Sequence, residues 1–409
     1  MKKPVIVLLS DHLQGGAAME PNLLANDLAQ RGDFEVHRWH FSPPVKDFFH
    51  PAVLERSLSQ GSKRPKFERI IKNISKRIAS LMRNKRNERA LIEAVSREKP
   101  DLLHIHNIHS ADINQSTLLK LPADIPIVWT LHDFWPLRAV AFSWSEREDS
   151  RLNRHEIGPW SRKTLLQKRD IFFSSRRNVT LVAPSLYVQR VARHYSARHH
   201  IPCKFIPHVV NRTFFLPQDR TAARIHWNLD PGKLWIGVGS TWNNSRKGMD
   251  VLWRALSLID CRSVGLLIWG HESNPQHPIR DLVVRSVGHV EDVEKLASLY
   301  ASVDVFVCPT KADTGPLTVI ESMAVGTPPL ASKVGGIPER VTHEHNGLLF
   351  PSQDHESLAM IIAECVKKPS RLHELGSNAR ELAQQNFNPD HHVDLHCELY
   401  QQIIRKATF

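Results

Sequence analysis

Short apolar runs of strand length alternate with helix-length stretches along this chain, and the alternation stops once and begins again. In the first half the runs are Pro4 to Leu9, Leu102 to His106, Ile127 to His132, Val179 to Ala183 and Phe205 to Ile206, with a helical stretch at Ala17 to Arg31. After a proline-bearing stretch near Pro207 to Pro217 the pattern restarts, with runs at Leu234 to Val238, Gly265 to Trp269, Val303 to Val307, Pro329 to Ala331 and Leu348 to Phe350. Strand–helix alternation demands parallel sheets, because each strand is followed by a crossover that returns the chain to the same edge. The reading is α/β, with a first domain at 1–215, a second at 216–390 and a last helix at 391–409. Sheets of this kind bind ligands beyond the carboxyl ends of their strands, and two such domains can share one cleft.

A chain of 409 residues has room for two cores of that size. No run approaches the roughly 18 apolar residues of a membrane span, and Val5 to Leu9 is cut off by Ser10, Asp11 and His12, too soon for a secretory core. Five dispersed cysteines suit neither a disulfide framework nor a zinc site, and a reducing cytoplasm is expected. The net charge of +12 calls for an anionic partner. Much of it lies in residues 63–89, where eleven lysines and arginines meet only Glu68 and Glu88.

The stretch Asp304 to Glu339 is the most informative: a buried strand, a polar turn, a helix, a Gly-Thr-Pro stop, another strand and a Gly-Gly turn. Gly315 and Pro316 suit a helix entrance, with proline at the first helical position, and Gly326 suits the exit. The first amides, those of Leu317 and Thr318, then stay unpaired at the positive helix end and can hold a phosphate, while Glu321 lies further in, within reach of a ribose. Asp313 and Glu321 are separated by seven residues. In that spacing the chain resembles the retaining glycosyltransferases of family 4, which have the GT-B fold: two Rossmann-like domains facing across a cleft, with a C-terminal helix crossing back to the first.

The resemblance implies that Glu321 binds the ribose hydroxyls and that Asp313, where the family usually has Glu, lies against the transferred sugar. It further implies that Lys247, in GVGSTWNNSRKG (Gly237 to Gly248), clamps the donor diphosphate. The family arginine position is Ser240 here, and Arg246 beside the lysine is its candidate substitute. Two cations suit a leaving diphosphate, whose charge builds as the glycosidic bond breaks. Gly15 and Gly16, after the first strand, allow close backbone approach to the donor, and the spacing is not that of a dinucleotide fingerprint. His132, in WTLHDFWPL, stands at the family position that faces the sugar, and Asn107 at the strand end near the acceptor. The histidines of LLHIHNIHS share a strand face, yet no third-ligand spacing accompanies them, so no metal is expected. Arg138 to Ala141 and Ile206 to Asn211 depart from common family patterns, which points to different acceptor recognition.

The expected activity is therefore retaining, metal-independent transfer of a sugar from a nucleotide-diphosphate sugar, UDP- or GDP-linked, to a saccharide or lipid-linked acceptor in polysaccharide or glycan assembly. No other cofactor is required. Between Phe67 and Met82 apolar residues recur at helical spacing with cations between them, a pattern fit either for an anionic membrane surface at the inner face or for packing on the first domain. Nucleic acid is not expected, since no recognition pattern accompanies the charge. A catalytically inactive relative that binds a nucleotide sugar or a partner, and a nucleotide-sugar epimerase, are the alternative readings.

Overall fold

The computed structural model describes residues 2–13, 16–43, 49–59, 76–108, 111, 113, 115–137, 170–176, 178–239, 245–270 and 279–407. Gly15, His109, Arg138 to Ala141, Ser240 and the basic stretch from Lys63 to Ser75 lie outside these residues, as do the side chains from Lys76 to Asn84 and of Gly16 to Ala18. The chain divides into two units. One takes the described residues up to Pro207 together with Pro389 onward, and the other takes His208–Asn388. The second core begins ahead of residue 215, since Val210 and Phe214 are already buried in it.

The first unit is built on a seven-stranded, wholly parallel sheet in the order β3-β2-β1-β4-β5-β6-β7. Its strands are β1 (Val5–Leu9), β2 (Glu35–His40), β3 (Val53–Ser57), β4 (Leu102–Ile105), β5 (Ile127–Thr130), β6 (Val179–Ala183) and β7 (Cys203–Phe205). β1, β4 and β5 are buried along their whole length, as continuous apolar strands covered on both faces must be. Two strands escape the sequence pattern. β3 is an edge strand, half-exposed and polar, while β2 reads EVHRWH yet lies inside, with Arg38 fully buried.

The second unit repeats the plan with six parallel strands in the order β10-β9-β8-β11-β12-β13. These are β8 (Leu234–Gly239), β9 (Val264–Trp269), β10 (Val283–Ser286), β11 (Val305–Cys308), β12 (Pro329–Ser332) and β13 (Leu348–Phe350). β10, VVRS, is again a partly exposed edge strand that the sequence pattern misses. In both sheets the order reverses between the first and fourth strands, so each unit has one topological switch point, β1/β4 and β8/β11.

The last helix, Pro389–Ala407, returns to the first unit. Val393, Cys397, Leu399 and Tyr400 join the core formed by Leu24, Leu28 and Phe34, and Arg31 on the first helix, Gly16–Arg31, pairs with Asp394. Among the described residues no helix is long and apolar enough to cross a membrane.

Candidate functional site

The second unit concentrates charge at its switch point. A 3-10 turn, Ser245–Lys247, is tied to the loop after β11: the Lys311 and Thr310 groups donate to the Arg246 carbonyl at 2.7 and 3.2 Å. Gly248 closes this turn at φ +73°, and a Cβ there would stand 1.9 Å from the Pro309 carbonyl oxygen, so only glycine lets the two loops meet. The contact brings Arg246 and Lys247 onto one carboxylate. Arg246 Nη1 donates to Asp313 Oδ2 at 3.0 Å and to the Ala312 carbonyl at 2.9 Å, and Lys247 Nζ reaches the same Oδ2 at 3.1 Å.

Asp313 and Arg246 are buried, while Lys247 keeps about a quarter of its side chain exposed (26%). Burial by itself would raise the Asp313 carboxyl, but Lys247, Arg246 and the Gly315 amide together hold it well below the usual carboxylate range. Gly315 donates to Asp313 Oδ1 at 3.3 Å. It also has φ +152°, and a Cβ on it would collide with the Arg340 guanidinium at 2.6 Å. Arg340, unforeseen in the sequence, lies buried behind this loop and donates to the Pro316 carbonyl at 3.1 Å. His208 is also buried near this cluster, held neutral by burial and by Arg340.

The helix that follows is Leu317–Ala324. Pro316 is its N-cap, in extended conformation, one residue earlier than the first helical position expected of it, because Gly315 turns the chain before the helix rather than into it. The first amides, those of Leu317 and Thr318, have no intrahelical carbonyl to reach. Gly326, at φ +86°, follows the C-cap Val325. Glu321 is half-buried on this helix, and burial pushes its carboxyl up to about 7 against the opposing hydrogen bond from Tyr300. Arg246, Lys247, Asp313 and Gly315 therefore meet in one cluster, with Leu317, Thr318 and Glu321 on the helix it introduces.

The switch point of the first unit is built from histidines held neutral around one buried cation, Arg38. Beyond β1, Asp11 donates its amide to the Asn107 carbonyl at 2.7 Å, and His106 donates to the Leu9 carbonyl at 2.9 Å. Arg38 crosses beneath, its guanidinium bonded to Asn22 Oδ1, the Leu8 and Trp39 carbonyls and Ser10 Oγ. Desolvation brings its pKa down to about 9, and its five donors fix the loop that leads to Gly16, where the first helix starts. Nothing in the polar run EVHRWH announces this role; the only signal is a cation inside a strand-length segment.

His132 follows β5, half-buried, with Nε2 2.8 Å from His106 Nδ1. His104 bonds the Tyr400 hydroxyl through Nδ1 at 2.5 Å and Thr130 through Nε2 at 2.8 Å, and its ring stacks on that of His396. Burial drives the pKa values of His104 and His106 well below the ordinary histidine range and that of His396 down to about 3. Glu20, His106 and His132 bring one potential ligand atom each within 4.8 Å of the others. The two ring centroids stand 5.1 Å apart, which is the N···N separation plus a ring radius on each side, so the nitrogens face each other head-on. That is the geometry of an N–H donating to a lone pair, whereas a metal shared by those atoms needs both lone pairs aimed at a third point. His106 Nε2 finds no partner among the described residues. We assign the shared proton to His106 Nδ1, which leaves a lone pair rather than an N–H unsatisfied and makes His132 Nε2 the acceptor.

The Glycosyltransferase Family 4 profile matches residues 15–214, and the profile of Glycosyl transferases group 1 matches residues 232–368. A D-inositol 3-phosphate glycosyltransferase of Rhodococcus erythropolis is 32% identical over 206 residues, covering 46% of this chain and 46% of that protein, so the match spans about half the length of the relative. Among solved structures, a sucrose-phosphate synthase from Thermosynechococcus elongatus superposes with a TM-score of 0.78 at 22% identity, covering 99% of this chain and 100% of the other. The Anabaena protein HepE, solved with UDP-glucose, superposes with a TM-score of 0.70 at 17% identity over 97% of this chain and 99% of that one. Two adjoining profiles take in most of the sequence, over two parallel-sheet units that match GT-B structures from end to end, and the chain belongs to the group 1, family 4 glycosyl transferases.

Proposed function

We propose that the chain is a retaining, metal-independent glycosyltransferase that moves a sugar from a nucleotide-diphosphate sugar to a saccharide or lipid-linked acceptor. One observation carries the reading: two cations, a carboxylate and the start of a helix meet at the β8/β11 switch point, where a doubly wound sheet binds its ligand. Lys247, Arg246 and the amides of Leu317 and Thr318 offset the charge that builds on the diphosphate as the glycosidic bond breaks. Asp313 holds both cations in place and cancels one unit of their charge. Glu321 accepts from the ribose hydroxyls, and the donor's own phosphate takes the acceptor proton, so no side-chain nucleophile is required.

In the first unit, His132, oriented by His106, and the backbone at Gly15-Gly16 serve the transferred sugar, and Asn107 serves the acceptor. The solved UDP-glucose complex of HepE makes a UDP-sugar the first donor to try, with a GDP-sugar next. A lipid-linked acceptor suits a peripheral position on an anionic surface, with residues 63–89 as the contact; in that segment Lys85, Arg86 and Arg89 are exposed on the helix Lys76–Glu98.

The test is a thermal-shift and nucleotide-release screen with UDP-, GDP-, ADP- and TDP-sugars, repeated on Glu321→Ala and Lys247→Ala. Stabilisation by one donor, together with slow donor hydrolysis that both variants lose, is the expected result. No shift with any nucleotide sugar at concentrations far above micromolar defeats the reading. Binding without turnover supports a catalytically inactive relative, and isomerised donor sugar without acceptor supports an epimerase.

A further inference from the structure

Glu321 is anchored on one side only. Its Oε2 accepts a 2.7 Å hydrogen bond from the Tyr300 hydroxyl, whereas Oε1 makes no hydrogen bond among the described residues. Tyr300 lies on the helix Val293–Ser302 and is fully buried. Its ring is met edge-on by Trp269 at 4.9 Å, Phe306 at 5.1 Å and Phe214 at 5.9 Å between centroids. Trp269 is itself fixed by the end of β8, where a Cβ on Gly239 would come within 2.3 Å of its indole nitrogen. An aromatic cage thus sets the hydroxyl, and the hydroxyl sets the carboxylate.

We propose that Tyr300 is a positioning residue for nucleotide recognition: it commits one carboxylate oxygen of Glu321 so that the other is presented to the vicinal hydroxyls of a ribose. The inference rests on the assignment of Glu321 to the ribose under the proposed function. The hydrogen bond also stabilises the ionised carboxylate, opposing the burial that pushes it up to about 7. Tyr300 itself stays protonated, since burial first and then Glu321 raise its pKa well above the ordinary value. Cys308 on β11 faces Tyr300 with its thiol pushed up by burial to about 11, so it adds no charge near neutrality. A free carboxylate could swing between rotamers and accept from one hydroxyl at a time; a tethered one discriminates ribose from 2′-deoxyribose.

Tyr300→Phe removes the hydroxyl and keeps the ring in its cage. Calorimetric titration of wild type and variant uses UDP, GDP and ADP, each beside its 2′-deoxy counterpart, and carboxyl NMR follows the titration of Glu321, assigned with Glu321→Gln. The variant is expected to bind the preferred ribonucleotide about tenfold more weakly, to lose most of the ribo-over-deoxy preference, to show the loss in KM rather than kcat, and to titrate Glu321 at higher pH. An unchanged ribo-to-deoxy ratio with an unchanged Glu321 titration overturns the proposal even when wild type binds nucleotide. A wild type that binds none of the nucleotides overturns the assignment of the site itself, and a shifted titration then leaves only the Tyr300–Glu321 contact standing.

Discussion

The two switch points have the same topology and opposite chemistry. In the first unit the buried polar groups are histidines kept neutral, bonded to one another, to Thr130 and to Tyr400, with Arg38 spread over carbonyls and side-chain oxygens. In the second unit the buried ionic groups pair, with Asp313 shared by Arg246 and Lys247. A parallel sheet supplies free strand ends in both cases. What the ends present depends on whether the neighbouring loop delivers rings that satisfy each other or ions that must pair, and in the second unit two cations share one carboxylate.

The largest effect that separates the units is their response to acid. His104, His106 and His396 are neutral in the folded first unit, and His40 is lowered as well, by burial first and then by Arg38. The unfolded chain binds those protons near pH 6.5, so their contribution is fully present above that pH and is lost as pH falls below it. Each such histidine costs about 1.4 kcal/mol per pH unit. In the second unit the corresponding residue among those described is His208, while Asp313, held far down, keeps its pairs throughout the same window. Hydrogen exchange followed separately in the two units between pH 7 and 5 should show the first loosening more steeply. Equal slopes would dissolve the contrast.

Next comes the ion cluster. Asp313→Ala leaves the Arg246 guanidinium buried without its carboxylate and is expected to cost about 3–5 kcal/mol by urea denaturation. Asp313→Asn, which keeps hydrogen-bond acceptance and loses the charge, should cost less and isolate the electrostatic share. If Asp313→Ala unfolds as wild type does, the cluster does not hold the two loops. The smallest effect is the backbone one: Gly248→Ala forces a side chain into the left-handed region and against Pro309, expected to cost about 2 kcal/mol in the same assay. A neutral result would mean that the turn bearing Arg246 and Lys247 can be rebuilt.

Much of this was readable beforehand, and for a definite reason. Central strands of a parallel sheet are buried on both faces, so β1, β5, β8 and β11 show as unbroken apolar runs, and the glycines and prolines around residues 313–328 punctuate a strand, a turn and a helix within one window. The edge strands β3 and β10 lack that signature because half of each faces water. β2 lacks it because its buried positions are filled by histidines and Arg38, whose burial depends on partners distant in sequence. Tyr300 and Arg340 were invisible on the same ground.

The sequence by itself determined the class of fold and the two-unit plan, since both follow from local periodicity; the returning helix and the residues expected to meet a diphosphate and a ribose were implied by the resemblance to the family 4 glycosyltransferases. Only the tertiary structure decided that Asp313 is the common partner of Arg246 and Lys247, that His106 orients His132, and that Tyr300 holds Glu321. Those contacts join residues 21 to 67 positions apart in the chain, and hydrogen bonds of that reach are set by how strands and loops pack, which no local pattern encodes.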